Sequence, residues 1–332
     1  MYPKEFISKA LRKIYRICSS SLSPQKDNKG QGTQYYGYVE LFDQDANDYV
    51  RELLHSNKPC MVSKFGTIEL DALVTYYIHK EQHHSFQEYI DFIKGKIPTL
   101  GWLNKSALNS LCSNAGFFPN DVSLLPKYYD INYKALKEID ILGSYIPNEK
   151  FFKQELSVAK KVNLDGYYAP YYYKNPWTME LAGKKVLVVH PFAEDIASQY
   201  KNHRKDIWQD PNVLPEFELI TYKSVQSILG IKTPYKNWFE ALKKMENDIS
   251  KIDFDIALIG CGAYGMPLAA YVKSLGKQAI HLAGWTQVLF GIIGTRWQNN
   301  PRVAPMMNEY WIHPSKLNIP KEARKIENGC YW

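Results

Sequence analysis

The sequence predicts an α/β fold with a Rossmann-like, doubly wound and mostly parallel sheet. Short apolar runs alternate with amphipathic segments through the second half of the chain, which is typical of strands separated by helices. The clearest unit lies between Ile256 and Leu282, where an apolar run, a glycine turn, an amphipathic segment from Pro267 and a second apolar run follow one another. This order predicts one βαβ unit of a parallel sheet.

The remaining elements follow from the same two periodicities, taken in chain order. The predicted strands lie at 59–65, 184–190 and 218–222, and the predicted helices at 45–56, 67–78, 107–112, 128–141, 195–204 and 238–249. Residues 1–18 form a basic amphipathic pattern, which is typical either of a membrane-surface helix or of an ordinary solvated helix. A flexible linker is predicted over 19–34, followed by one domain over 35–332 with halves of about 35–175 and 176–332.

Composition narrows the class of protein. The 332 residues carry a net charge of +7, which favours anionic partners, yet no nucleic-acid-binding module is recognisable. Five widely spaced cysteines indicate reduced thiols rather than a disulfide framework. No secretory signal pattern is present, so a cytoplasmic location is predicted.

The turn Gly260-x-Gly262-x-x-Gly265 is the strongest candidate for a ligand site. Glycines let the backbone approach a ligand, and a following helix start offers free N–H groups. No Asp or Glu occurs between residues 256 and 308, which predicts a phosphorylated ligand. The spacing also fits a dinucleotide fingerprint, but the second strand ends at His281-Leu282-Ala283-Gly284 without the carboxylate that would hold the ribose. Tight helix–strand packing is the third explanation.

A second candidate follows the first predicted strand. Lys64, Gly66 and Thr67 lead into a helix whose first turn holds Glu69. Glu69 is predicted to be a catalytic base or a metal ligand, although an acid in a first turn also complements the helix dipole.

Further candidates lie near predicted strand ends, where parallel sheets bind ligands. We consider as acid/base or substrate groups, or as aromatic and polar contacts, His190, Glu194, Asp195, Tyr264, His281, Trp285 and Gln287.

The pairing of the segment Lys64 to Glu69 with the late turn Ile259 to Gly265 resembles bacterial glycosyltransferases of the GT-D fold type. The block from Ala279 to Trp297 and the ending from Glu327 to Trp332 are similar to relatives in polysaccharide biosynthesis. The resemblance covers roughly residues 62–332.

This resemblance implies a sugar transfer from a nucleotide-sugar donor, most often a UDP-sugar, to a glycan or lipid-linked acceptor of a capsule, an O-antigen or a glycoprotein glycan. It places the donor diphosphate at the glycine turn and at Arg296. Family members carry an Asp-x-Glu triplet for metal and donor; Thr67 occupies its first position here, so a divalent metal (Mn or Mg) rests on Glu69 alone. NAD is not expected. The alternatives are an NAD(P)-dependent oxidoreductase and a non-catalytic nucleotide-binding scaffold.

Overall fold

The computed structural model describes residues 3–20, 39–80, 85–97, 99–103, 105–321, 323 and 329–332. Within them, seven parallel strands form one sheet with helices on both faces, which confirms the predicted fold class. The strands are β1 (Cys60–Ser63), β2 (Ile141–Ser144), β3 (Lys160–Asn163), β4 (Lys185–His190), β5 (Glu218–Lys223), β6 (Ile256–Ile259) and β7 (Gln278–His281).

Strand order across the sheet is β3-β2-β1-β7-β6-β4-β5. The last strand in sequence, β7, therefore lies in the centre, with Val62 of β1 opposite Ile280 and Leu258 of β6 opposite the same residue. Strands from the two halves of the chain meet at this β1–β7 pair. The predicted βαβ unit is confirmed, since β6 and β7 are parallel neighbours joined by one helix.

Helices cover both faces of the sheet. Their bounds are α1 (Pro3–Ser20), α2 (Asp43–His55), α3 (Thr67–Lys80), α4 (Phe86–Ile93), α5 (Lys105–Ala115), α6 (Leu125–Leu136), α7 (Leu164–Tyr168), α8 (Ala193–Ile207), α9 (Trp238–Ile249), α10 (Gly265–Ser274), α11 (Trp285–Leu289) and α12 (Thr295–Gln298). None of them is both long and apolar enough to cross a membrane, among the residues that the structure describes.

Alternating strand residues fill two cores, one on each side of the sheet. In β4, Leu187 and Val189 belong to one core, while Val186 and Val188 belong to the other. All four are fully buried. A strand covered on both faces reads as a continuous apolar run, which is why the sequence identified β4 and β6 so clearly.

Several predicted boundaries were wrong. Ile141 begins β2 rather than ending a helix, and both β2 and β3 were missed because polar and small residues interrupt their four-residue runs. Helix α10 begins at Gly265 instead of Pro267, and Glu194 lies in the first turn of α8 instead of a loop. Helix α1 includes Ser19 and Ser20, which were placed in the linker; residues 21–34 of that linker lie outside the described residues.

Candidate active site

A cavity of about 240 Å³ opens at the carboxyl ends of the strands. Six strands contribute the residue that ends them or follows them, because parallel strands all end at the same edge of the sheet. These residues are Lys64 after β1, Tyr145 after β2, His190 of β4, Ser224 after β5, Gly260 after β6 and His281 of β7. The cavity thus brings together the two segments that the sequence singled out.

Glu69 supplies the carboxylate of the cavity. It lies in the first turn of α3, whose first backbone bond runs from Leu70 N–H to the carbonyl of Gly66 (2.9 Å). The carboxyl group folds back over Gly66, so that a Cβ added at Gly66 would lie 2.5 Å from Cδ of Glu69. Glycine at position 66 therefore makes the space that Glu69 occupies.

Burial raises the pKa of Glu69 above its usual value, while its own backbone N–H and the charge of Lys64 lower it, and burial prevails. A carboxylate that only complemented a helix dipole would have a lowered pKa. The direction of the shift is what a proton acceptor near neutral pH requires.

Lys64 is a nearly buried cation beside Glu69. Its ammonium donates a long hydrogen bond to the carbonyl of Phe65 (3.5 Å) and lies 5.5 Å from the ring centroid of Tyr145. It forms no ion pair with any carboxylate of the described residues. A buried charge without a contact counterion is costly, so this lysine favours an anionic ligand in the cavity.

Two buried histidines flank the glycine turn. Nδ1 of His190 accepts a hydrogen bond from the Phe192 N–H (3.0 Å), so the neutral ring carries its proton on Nε2. Nδ1 of His281 contacts Ser63 Oγ at 3.1 Å, and its Nε2 has no hydrogen-bond partner among the described residues. Burial lowers the pKa of each histidine to about 3. Both rings are neutral at neutral pH.

The three glycines of the late turn fit closely against the protein itself. A Cβ at Gly260 would lie 2.8 Å from Cδ2 of His190, and one at Gly265 would overlap the ring of His281. Gly262 has a φ of 58° and would approach the carbonyl oxygen of Ala115 to 2.8 Å. Packing thus accounts for all three, and their contact with a ligand stays a prediction. Gly260 and Gly262 line the cavity, whereas Gly265 lies behind them.

Aromatic and polar groups complete the wall. Tyr264 stacks on Trp238 with centroids 5.1 Å apart and contacts Ser227 Oγ through its hydroxyl at 3.3 Å. Gln287 donates to the carbonyl of Tyr331 (3.1 Å), and thereby holds residues 329–332 against the cavity. Arg296 is exposed at the rim, 5.0 Å above the ring of Tyr331.

Three predicted residues lie away from the cavity. Glu194 pairs with Lys223 at 3.0 Å on the surface. Asp195 accepts hydrogen bonds from Ser315 N–H and Asn318 Nδ2, each at 2.9 Å, and so fixes that loop. The ring of Trp285 stacks on Tyr168 with centroids 4.1 Å apart, outside the cavity lining.

The sequence did not indicate several cavity residues, among them Asn114, Tyr145, Ser224 and Ser227. Ser224 directly follows a correctly predicted strand, so the rule that ligands bind at carboxyl ends could have found it. Its hydroxyl is buried and has no partner among the described residues, which makes it available to a ligand. Tyr145 follows β2, which was predicted as the end of a helix, so no signal pointed to it.

Among the described lining residues, Glu69 is the one carboxylate side chain, accompanied by Lys64 and Arg296. Divalent magnesium or manganese prefers several oxygen ligands, and no group of three or more His, Cys, Asp or Glu side chains in the described part of the chain could hold a metal ion. This donor set does not fit a metal held by the protein alone. It fits an anion that meets two cations, with a proton acceptor beside it.

No family model and no curated protein sequence matches the chain. A solved structure described as "Selenomethionine substituted structure of domain of unknown function 1792 (DUF1792)" is similar to it at 12% sequence identity and a TM-score of 0.37. The likeness spans 75% of this chain and 79% of that one. With a likeness this distant, substrate and reaction have to be argued from the residues of the cavity.

Proposed function

We propose that this protein is a glycosyltransferase that uses a nucleotide-sugar donor, with a UDP-sugar as the expected donor. The observation that supports it most is the pairing in one cavity of a carboxyl group with a raised pKa, Glu69, and a buried cation without a counterion, Lys64. A donor diphosphate needs neutralisation and an acceptor hydroxyl needs a proton acceptor. The resemblance to GT-D glycosyltransferases over the same segments agrees with this assignment.

In the proposed reaction, the acceptor hydroxyl oxygen forms a bond to the anomeric carbon of the donor sugar. The bond from that carbon to the diphosphate oxygen breaks, and the nucleoside diphosphate leaves with the electron pair. Glu69 takes the hydroxyl proton, while Lys64 and Arg296 stabilise the charge that develops on the leaving group. The glycine turn at 260–265 and Ser224 would contact the diphosphate. A divalent metal at Glu69 stays a prediction, which a manganese titration of donor binding tests.

The acceptor is proposed to be a growing surface glycan, and the reaction to take place at the cytoplasmic face of the membrane, where lipid-linked acceptors are available. An NAD(P)-dependent oxidoreductase is less well supported, because the end of β7 at His281 offers no carboxylate for a ribose. Packing within the protein also accounts for the three glycines that favoured it.

Calorimetry with UDP and with NAD⁺ tests this function. We expect UDP to bind and NAD⁺ to give no heat of binding, and Lys64→Met to weaken UDP binding. A matched control is Lys243→Met, an exposed lysine that pairs with Glu246 on α9, outside the cavity lining. Binding of NAD⁺ without any response to UDP would overturn the proposal. Tight UDP binding with no turnover of any UDP-sugar would favour the scaffold alternative.

A further inference from the structure

Helix α1 contacts the rest of the protein through its polar side. It packs beside α4, where the Arg12 guanidinium lies 4.5 Å from the ring centroid of Phe92. Lys9 Nζ lies 6.0 Å from the ring centroid of Trp102, and Ser8 is buried. The side chains that hold α1 in place are therefore a serine and two cations.

The apolar side of α1 faces away from the protein. Its large side chains recur at the spacing of one helix face and are all between 44% and 65% exposed: Phe6, Ile7, Leu11, Ile14 and Ile17. A helix that packs on a globular domain normally turns its apolar stripe towards the core. Here the arrangement is reversed, and a continuous apolar surface is left open. Such surfaces mark sites of interaction.

The charge of α1 identifies the partner. The helix carries five basic residues and a single acidic one, Glu5. Lys13 and Arg16 are exposed beside the apolar side chains. A second copy of the same basic helix would place like charges together, whereas an anionic bilayer accepts both the apolar face and the cations.

A second cavity, of about 410 Å³, lies between α1 and α3 and is lined by Lys9, Arg12 and Asp71. Ile68 lines this cavity and also the catalytic one. The first turns of α3, which carry Glu69, therefore separate the catalytic cavity from the space under α1. A surface docked on α1 would lie next to the wall that holds the proposed base.

We propose that α1 is a membrane-docking helix, which inserts its outward apolar face into the interface of an anionic bilayer while its polar side stays on the protein. Where the proposed function holds, docking also brings a lipid-linked acceptor to the side of α3 that adjoins the active site. The docking itself stands on the orientation and charge of α1, and does not depend on sugar transfer.

Flotation of the full chain with vesicles tests the proposal. We expect binding to vesicles of phosphatidylglycerol and phosphatidylcholine in equal amounts, and weak binding to phosphatidylcholine alone. The double variant Ile7→Ser, Ile14→Ser should bind at least about tenfold more weakly, since two large side chains no longer enter the bilayer. The double variant Lys13→Gln, Arg16→Gln should lose roughly fivefold per charge at about 0.1 M salt and much less at about 1 M.

The matched control is Val158→Ser with Leu317→Ser, two highly exposed apolar residues outside α1, which should bind as the unchanged protein does. Calorimetry with UDP on the Ile7, Ile14 variant separates the two proposals, because docking can fail while the cavity still binds UDP. Failure of the unchanged protein to float with anionic vesicles would overturn the docking. So would equal flotation of the Ile7, Ile14 variant, or a dimer in solution that this variant abolishes.

Discussion

Replacing Glu69 by Gln is expected to stabilise the protein while it abolishes turnover. The amide keeps the size of the side chain and its place over Gly66, but it carries no charge. Because burial raises the pKa of Glu69, the ionised form is less stable in the folded protein than in the unfolded chain. Each unit of that increase corresponds to about 1.4 kcal/mol at a pH well above the raised pKa. The glutamine avoids this cost.

The sign of the pH dependence follows from the same shift. A carboxyl group whose pKa is raised on folding contributes stability below its unfolded value of 4.5, and this contribution is lost as pH rises through the folded value. The variant should therefore gain most over the unchanged protein at neutral pH and little near pH 4.5. Turnover should fall by about 10²–10⁴-fold with UDP affinity nearly unchanged, as expected for loss of a base.

Thermal unfolding across this pH range, together with sugar transfer from a UDP-sugar, checks both statements. The matched control is Glu240→Gln, since Glu240 also lies in a first helix turn, that of α9, but is exposed and accepts the N–H of Lys236. This control should be slightly destabilised, by about 0.3–1 kcal/mol. If Glu69→Gln were destabilised in the same way and retained normal turnover, the assignment of Glu69 as a base would be refuted.

Three other substitutions probe the cavity. Lys64→Met should weaken UDP binding by about 1.5–3 kcal/mol, measured by calorimetry, yet raise the melting temperature because a buried charge is removed; a lowered melting temperature with unchanged affinity would contradict this. His281→Asn should remove part of the acid sensitivity, since a histidine with a folded pKa of about 3 and an unfolded one of 6.5 costs about 2 kcal/mol of stability between pH 7 and pH 5. Melting curves at both pH values check it, and identical pH dependence in the two proteins would count against it. Gly262→Ala should destabilise more than Gly276→Ala by about 1–3 kcal/mol in denaturant unfolding, because both glycines have positive φ but only Gly262 faces the Ala115 carbonyl; equal losses would show that backbone conformation alone sets the cost.

The sequence predicts the sheet best where both faces of a strand are buried. The unit around β6 and β7 was identified almost to the residue, because uninterrupted apolar runs flank a glycine turn. Strands β2 and β3 were missed: each has four residues, and Gly143 and Ser144 or Lys160 and Lys161 break the apolar run. Such short strands are defined by the neighbours they pair with, which a local pattern does not contain.

Site prediction succeeded and failed for a similar reason. Lys64 and Glu69 lie on either side of one turn, so their proximity could be read locally. The close fit of Gly265 against His281 is a contact between α10 and β7, and the sequence could only offer it as one of three explanations. Asp195 at a strand end looked equivalent to Glu69, but its hydrogen bonds to Ser315 and Asn318 come from residues far along the chain.

The central position of β7 has a consequence for how the protein folds. Ser63 and His281 touch across the β1–β7 boundary although 218 residues separate them in sequence. Closing so large a loop is entropically unfavourable and slows folding in proteins dominated by such contacts. Until β7 inserts between β1 and β6, Lys64 and Glu69 lie in one half of the chain and the glycine turn in the other. Folding intermediates that lack this strand pairing would therefore hold no assembled cavity, and the recovery of UDP binding during refolding would follow the insertion of β7.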